Sequence, residues 1–316
     1  MRAMVFHGPG DLRAEELPVP RPESGELVLR IDAALTCGTD VKTLRRGHPV
    51  MIPKVPTVFG HEFAGTVTAI GAGVRGVREG DRVVAANSAP CGACRPCLAG
   101  RSNLCEDLLF VNGAYGEFIA LPPRLVAKNV VPLGPTLPAV RAAFAEPLAC
   151  ALLGIDRARV ESGQTVVVFG AGPLGCLLGM VAAARKARVI MVGKSGWRFS
   201  RVRGLGIGEC LDATGRPEVW EQAIDVTGRG GSVVFFGGCA PGTSIRLDTR
   251  RAHYEELTLL GAFHHTPELI RRAVDLMESG ALAPDDLITH RMRLDAVRQA
   301  LDLMARGDAL KVLIEP

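Results

Sequence analysis

The stretch VVVFGAGPLGCLLGMVAAA, residues 166–184, is the most apolar window of the chain, and its reading decides the architecture. Its length suits a bilayer span, but it holds four glycines and a proline, with turn chemistry in the middle. It reads instead as a buried strand, a turn and a buried helix. The following run RVIMVG, residues 188–193, supplies a second strand, so the order is strand, glycine turn, helix, strand. That order is a parallel α/β unit.

The turn itself, Gly170-Ala171-Gly172-Pro173-Leu174-Gly175, has G-x-G-x-x-G spacing between a strand and a helix. Gly170 permits the tight turn, Gly172 lets a diphosphate approach the backbone, and Gly175 lets helix and strand pack closely. Pro173 and Leu174 open the helix, whose N-terminus offers N–H donors and a partial positive charge to phosphates. A plain strand–helix turn is the competing reading, and the context favours a dinucleotide site. An NAD-selective site wants Asp or Glu at the end of the next strand. Here the strand ends in Gly193, Lys194 and Ser195, with Arg198 following. No carboxylate repels a 2′-phosphate and two cations attract one, so NADP(H) is favoured over NAD(H). The bland alternative is that Lys194 and Arg198 are merely solvated.

Outward from this unit, the strands GSVVFFGG and ELTLLGAF extend the parallel sheet. Residues 1–130 differ in kind: short apolar runs such as GELVLRIDAAL, EFAGTVTAIGAGV and GDRVVAA are broken by Gly and Pro. They read as many short strands of a β-rich domain. The expected division is a β-rich domain at 1–149 with 286–316, and a dinucleotide-binding domain at 150–285. At 316 residues with net charge +4 and 22% charged residues, the chain is globular. Arginine outnumbers lysine heavily but is scattered, which reads as coding preference rather than a nucleic-acid surface, and no nucleic-acid partner is expected. The N-terminus lacks a signal peptide. A cytoplasmic protein with no membrane partner is expected, and its nine cysteines then point to metal ligands rather than disulfides.

Two constellations fit metal. In CGACRPCLAGRSNLC, residues 91–105, Cys91, Cys94, Cys97 and Cys105 have the spacing of a closed tetrahedral zinc site. Four thiolates leave a charge of −2, which Arg95 and Arg101 are candidates to offset. With every position filled, such a site braces a lobe and does no chemistry. The second set is dispersed: Cys37, then His61 and Glu62, then Glu146. One thiolate, one imidazole and one carboxylate leave a position open for water or an alcohol. Zinc there lowers the pKa of a bound hydroxyl and polarises the matching carbonyl. Spacing by itself does not link these residues.

C-G-T-D at 37–40, G-H-E-F-A-G at 60–65, the four-cysteine lobe, A-E-P-L-A at 145–149 and G-A-G-P-L-G at 170–175 occur in that order. On these motifs the chain resembles the zinc-dependent medium-chain alcohol/polyol dehydrogenases, especially the sorbitol and threonine dehydrogenase branch. The resemblance implies an α/β fold with a GroES-like β-rich catalytic domain and a Rossmann doubly wound parallel sheet. It implies two zinc ions per chain, one structural and one catalytic. Cys37 and His61 become ligands of the catalytic zinc, with Glu62 a ligand or immediate neighbour. Glu146 completes the shell directly or through water. Thr39 accepts the alcohol proton, and Asp40 buttresses the site. The expected reaction is reversible oxidation of a secondary alcohol (a polyol, sugar or amino alcohol) to a ketone, with hydride passing to the nicotinamide ring. His264 and His265 in GAFHHTPE are candidate substrate contacts, with surface or capping histidines as the alternative. A homodimer or homotetramer is implied, paired through the edge strand ELTLLGAF.

Two departures stand out against the family. Lys42 occupies the place of the usual relay histidine, so the relay ends in solvent, another group or His48. After RFSRVRGLG the chain passes at once to IGECLDATG, residues 207–215, so about one β-α unit, roughly 25 residues, is missing. A reduced adenosine side of the cofactor pocket follows. The competing functions are a weakened or non-catalytic zinc-binding relative, and a zinc-free quinone or enone reductase. The last is disfavoured by the presence of Cys37, His61, Glu62 and the cysteine lobe.

Overall fold

The computed structural model describes residues 1–193 and 215–316. The chain forms two compact units, residues 1–147 with 266–316 and residues 148–265.

The first unit is built on a seven-stranded sheet whose centre is the strand Leu27–Leu35. Its sequence LVLRIDAAL is buried at nearly every position because it pairs with neighbours on both sides. Glu62–Ile70 runs antiparallel to it, with Leu35 opposite Glu62 and Ala34 opposite Phe63. Phe118–Leu121 pairs with its first half and Lys311–Glu315 with its end, where Leu313 faces Leu35. Arg82–Ala85 and Val130–Pro132 extend the sheet on one side, and Ile288–Arg293 on the other. The side chains of Leu27, Leu29, Phe59, Phe63 and Leu121 are among those that fill its core. Burying each contributes about 1.5–3 kcal/mol, which the polar turns could not supply.

Residues 266–285, assigned from sequence to the dinucleotide domain, pack instead with the first unit. The helix Pro267–Glu278 buries Leu269, Ile270, Ala273, Val274 and Met277 along one stripe. Arg271 donates to the Lys128 carbonyl at 3.0 Å, and Glu278 accepts the Gly134 N–H at 2.6 Å. Sequence periodicity identifies such a stripe but not the surface that covers it.

In the second unit, Thr165–Phe169 pairs in parallel with Arg188–Val192 in the register Thr165 to Arg188, Phe169 to Val192. The helix Pro173–Ala184 makes the crossover. Ser232–Phe235 pairs in parallel with Thr258–Gly261. The helix Pro217–Val226 lays Trp220 on Phe235, with ring centroids 4.2 Å apart. No ladder joins the two strand pairs among the described residues. A cavity of about 550 Å³ lies between them, lined by Val167, Phe169, Leu178, Trp220, Val234 and Phe236 among others. The expected missing β-α unit falls at residues 198–215, almost wholly outside the described residues. Among the described residues no helix is long and apolar enough to cross a membrane.

Candidate functional site

The pairing of Leu35 with Glu62 brings distant motifs together. The chain leaving one strand at Thr36–Cys37 lies beside the chain entering the other at His61–Glu62. One ligand atom each from Cys37, His61 and Glu62 lies within 4.8 Å of the others. Cys37 is also the N-cap of the helix Gly38–Arg46: its Sγ accepts the Thr39 N–H at 3.4 Å, and the Asp40 carboxylate accepts the Cys37 N–H at 3.0 Å.

Asp40 is buried and touches three donors. Its Oδ1 lies 2.9 Å from His61 Nδ1, and its Oδ2 accepts the Tyr115 hydroxyl at 2.5 Å besides the Cys37 N–H. With Nδ1 engaged, Nε2 is the nitrogen left to His61 for a metal. Burial opposes protonation of His61, but the charges of Asp40 and Cys37 outweigh it and hold its pKa well above the ordinary value.

Glu62 is wholly buried and pairs with the Lys311 ammonium, itself only 1% exposed. Its other oxygen, Oε1, has no hydrogen-bond partner among the described residues. Burial pushes the Glu62 carboxyl up to about 7 against the pull of Lys311. Burial likewise works against the Lys311 charge, but Glu62 and Cys37 overcome it and keep the ammonium protonated. Glu146, at the start of the helix Ala145–Arg157, is buried and adds its negative field to Glu62. Thr39 is half-buried at the first turn of the Cys37-capped helix. Lys42 is exposed, and His48 is half-buried with its Nδ1 accepting the Met51 N–H at 3.1 Å.

Sequence reading missed Tyr115 and Lys311. A lone lysine in the apolar run ALKVLI is the one local signal for Lys311. Tyr115 in NGAYGEF gives none.

The four lobe cysteines also meet, with their Sγ atoms all within 4.8 Å of one another. Cys91 Sγ accepts the N–H groups of Ala93 and Cys94, each at 3.4 Å, and these draw its thiol down to about 6. Burial, with Cys94 beside it, pushes Cys97 up to about 12. Four thiols in contact cannot all ionise unless a cation sits between them, so the donor set fits a tetrathiolate metal. Arg95 and Arg101 are exposed. Lys128 also reaches the lobe: a Cβ added to Gly92 would lie 3.1 Å from its Nζ.

In the second unit the glycine turn has the form its spacing implies. Gly170 has φ 141°, Gly172 caps the helix and Pro173 opens it. A Cβ on Gly175 would lie 1.5 Å from the Gly170 carbonyl oxygen, whereas one on Gly172 would meet nothing within 4 Å. The open space over Gly172 suits a diphosphate. Leu174 follows in the first helical turn, and Gly193 packs where a Cβ would come 3.0 Å from the Ala171 Cβ. Lys194, Ser195 and Arg198 lie outside the described residues. His264 and His265 are buried rather than on the surface, their ring centroids 3.9 Å apart, and they belong to this unit rather than to that of Cys37.

A thiol–imidazole–carboxylate cluster in a β-rich unit, with a glycine turn in a parallel α/β unit, defines a metal- and nicotinamide-dependent oxidoreductase. The alcohol dehydrogenase GroES-like domain family matches residues 23–132. A sorbitol dehydrogenase of Bombyx mori is 31% identical over 344 positions, covering 99% of this chain and 97% of that protein. An L-threonine 3-dehydrogenase of Mesorhizobium japonicum is 31% identical over 336 positions, covering 95% and 94%. A zinc-binding dehydrogenase of Sinorhizobium meliloti 1021, solved with NADP, superposes with a TM-score of 0.91 at 28% identity, covering 100% of this chain and 99% of that one. The chain belongs to the zinc-dependent medium-chain alcohol and polyol dehydrogenases. It is an oxidoreductase, and zinc and a nicotinamide nucleotide are its cofactors.

Proposed function

We propose that the chain oxidises a secondary alcohol of a polyol, sugar or amino alcohol reversibly to the ketone, with two zinc ions bound and NADP(H) preferred. The observation that carries this reading is the Cys37–His61–Glu62 cluster, whose Glu62 Oε1 is buried without a partner among the described residues. Zinc, when bound, supplies an electrophile that acidifies the alcohol hydroxyl and polarises the carbonyl. Cys37 and His61 hold it, with Glu62 as third donor and Glu146 beside it. Thr39 would take the alcohol proton at its hydroxyl while its own hydroxyl proton passes onward to solvent or a further group of the relay. The lobe cysteines hold the second zinc as a brace.

Relatives that act on sorbitol and threonine support a hydroxyl-rich substrate. The absence of a carboxylate over Arg188–Gly193 and the NADP in the Sinorhizobium meliloti protein support NADP(H). The alignment with the Bombyx mori protein is longer than this chain, which supports a segment lost from this one. Reduced thiols suit a cytoplasmic setting.

Metal analysis is expected to give two zincs per chain, and a panel of polyols, sugars and amino alcohols should then reduce NADP faster than NAD by nicotinamide absorbance. Two zincs with no turnover on any alcohol would favour a non-catalytic relative, and no zinc would remove both metal sites. The strand Thr258–Gly261, paired on one side with Ser232–Phe235, leaves backbone groups for a second copy. Sedimentation should therefore give a dimer or tetramer, and a monomer at micromolar concentration would refute that assembly.

A further inference from the structure

We propose that Tyr115 is a positioning residue for the catalytic metal, holding both Cys37 and His61 through the single carboxylate of Asp40. The proposal rests on the zinc reading of the Cys37 cluster given above.

The first observation is how firmly the ring is fixed. Tyr115 is 0% exposed, and its ring meets Phe59 edge-on with centroids 5.9 Å apart. Its backbone bonds to both neighbours: its N–H donates to the Phe59 carbonyl, and its carbonyl accepts the Met4 N–H, each at 2.8 Å. The ring lies against the backbone of Gly60, the residue that precedes His61. A Cβ on Gly60 would come 2.7 Å from the ring, and its φ of 83° is itself a glycine conformation. The glycine of the G-H-E motif thus makes room for a phenol, and the phenol reaches the partner of the adjacent histidine.

The second observation is where the hydroxyl ends. It donates to Asp40 Oδ2 at 2.5 Å, with the Leu35 carbonyl further off at 3.3 Å. The same oxygen accepts the Cys37 N–H, and the other lies against His61 Nδ1. Two candidate ligand residues are therefore oriented by one buried carboxylate, and Tyr115 supplies its one hydroxyl donor among the described residues. Phenylalanine would fill the same apolar space beside Phe6 and Phe59 without a buried hydroxyl to satisfy. Packing alone does not call for the oxygen. Without it, a carboxylate that is 2% exposed keeps one N–H on Oδ2 and gains freedom to turn. His61 would then lose the fixed tautomer that aims Nε2 at the metal.

The test is Tyr115→Phe, which keeps the ring. Loss of a partner in the shell around metal ligands costs about 10–100-fold in metal affinity or activity, and about 10-fold is expected one step further out. Tyr115→Phe should release one of its two zincs to a chelator about 10-fold faster, with the lobe zinc unchanged. The cobalt-substituted protein should show an altered visible spectrum, and kcat should fall while KM for the nucleotide stays constant. In an Asp40→Asn background the same change should add nothing. Native-like zinc release and cobalt spectrum in Tyr115→Phe would overturn the proposal, as would equal loss from both sites or an undiminished effect on top of Asp40→Asn. A wild-type chain with no metal at Cys37 would instead sink the zinc reading, and the role of Tyr115 with it.

Discussion

Replacing Lys311 by methionine is expected to lower the melting temperature by on the order of 10 °C. Lys311 and Glu62 are 1% and 0% exposed and face one another across 249 residues of sequence. A buried ion pair is a poor source of net stability, because desolvating both charges costs about as much as their attraction returns. Breaking one is different. Removing the ammonium leaves the buried Glu62 carboxyl without its ion-pair partner, at a cost of about 3–5 kcal/mol. For a unit of this size each kcal/mol moves the melting point by about 2–4 °C. Methionine keeps the length and apolar stem of lysine, so lost packing contributes little. The double variant Lys311→Met with Glu62→Gln removes the unpaired carboxyl and should recover most of the loss. The comparison is made by thermal melting of wild type, both single variants and the double. A double variant no more stable than Lys311→Met would show that the unpaired carboxyl is not the cause.

Gly175→Ala should abolish nucleotide binding and destabilise the second unit, whereas Gly172→Ala should weaken binding alone. Helix propensity points the other way for Gly175, since alanine in a helix interior is favoured over glycine by about 1 kcal/mol. Sterics decide. The added Cβ would lie 1.5 Å from the Gly170 oxygen and 2.6 Å from its carbonyl carbon, both backbone atoms with no rotamer to relieve them. Only opening the turn between Thr165–Phe169 and Pro173–Ala184 makes room, and that disrupts the crossover and the N–H cradle at its start. At Gly172 φ is −80° and a Cβ meets no protein atom, so alanine is tolerated by the fold. It would instead occupy the space through which a diphosphate approaches the backbone. Nucleotide affinity should fall at least about 10-fold in Gly172→Ala with an unchanged melting curve; that loss corresponds to about 1.4 kcal/mol. Fluorescence titration with NADPH and NADH, read beside the melts, separates the two effects. Tight binding by Gly172→Ala would mean that the nucleotide does not use this turn.

The two variants also mark where sequence reading works. The glycine turn and the lobe cysteines spaced over 91–105 are short-range arrangements. Their chemistry is fixed within a dozen or so residues, so spacing carries it. Grouping Cys37 with His61 and Glu62 needed a family resemblance, because the link is the strand register that sets Leu35 opposite Glu62. The end of the dinucleotide unit was misjudged by 20 residues, as residues 266–285 show a helix stripe without showing its partner.

What the sequence determined by itself was the two kinds of unit, the cysteine lobe and the glycine turn, each dictated by local backbone geometry or residue spacing. Only the tertiary structure decided what stands behind the ligands. The strand Lys311–Glu315 meets Leu35 at Leu313, and Thr36 exchanges hydrogen bonds with Val312, which sets Lys311 on Glu62. Tyr115 reaches Asp40 across 75 residues because Gly60 yields the space. A buried charge or hydroxyl is stable only beside its partner. That partner is chosen by how strands align, which no run of neighbouring residues encodes.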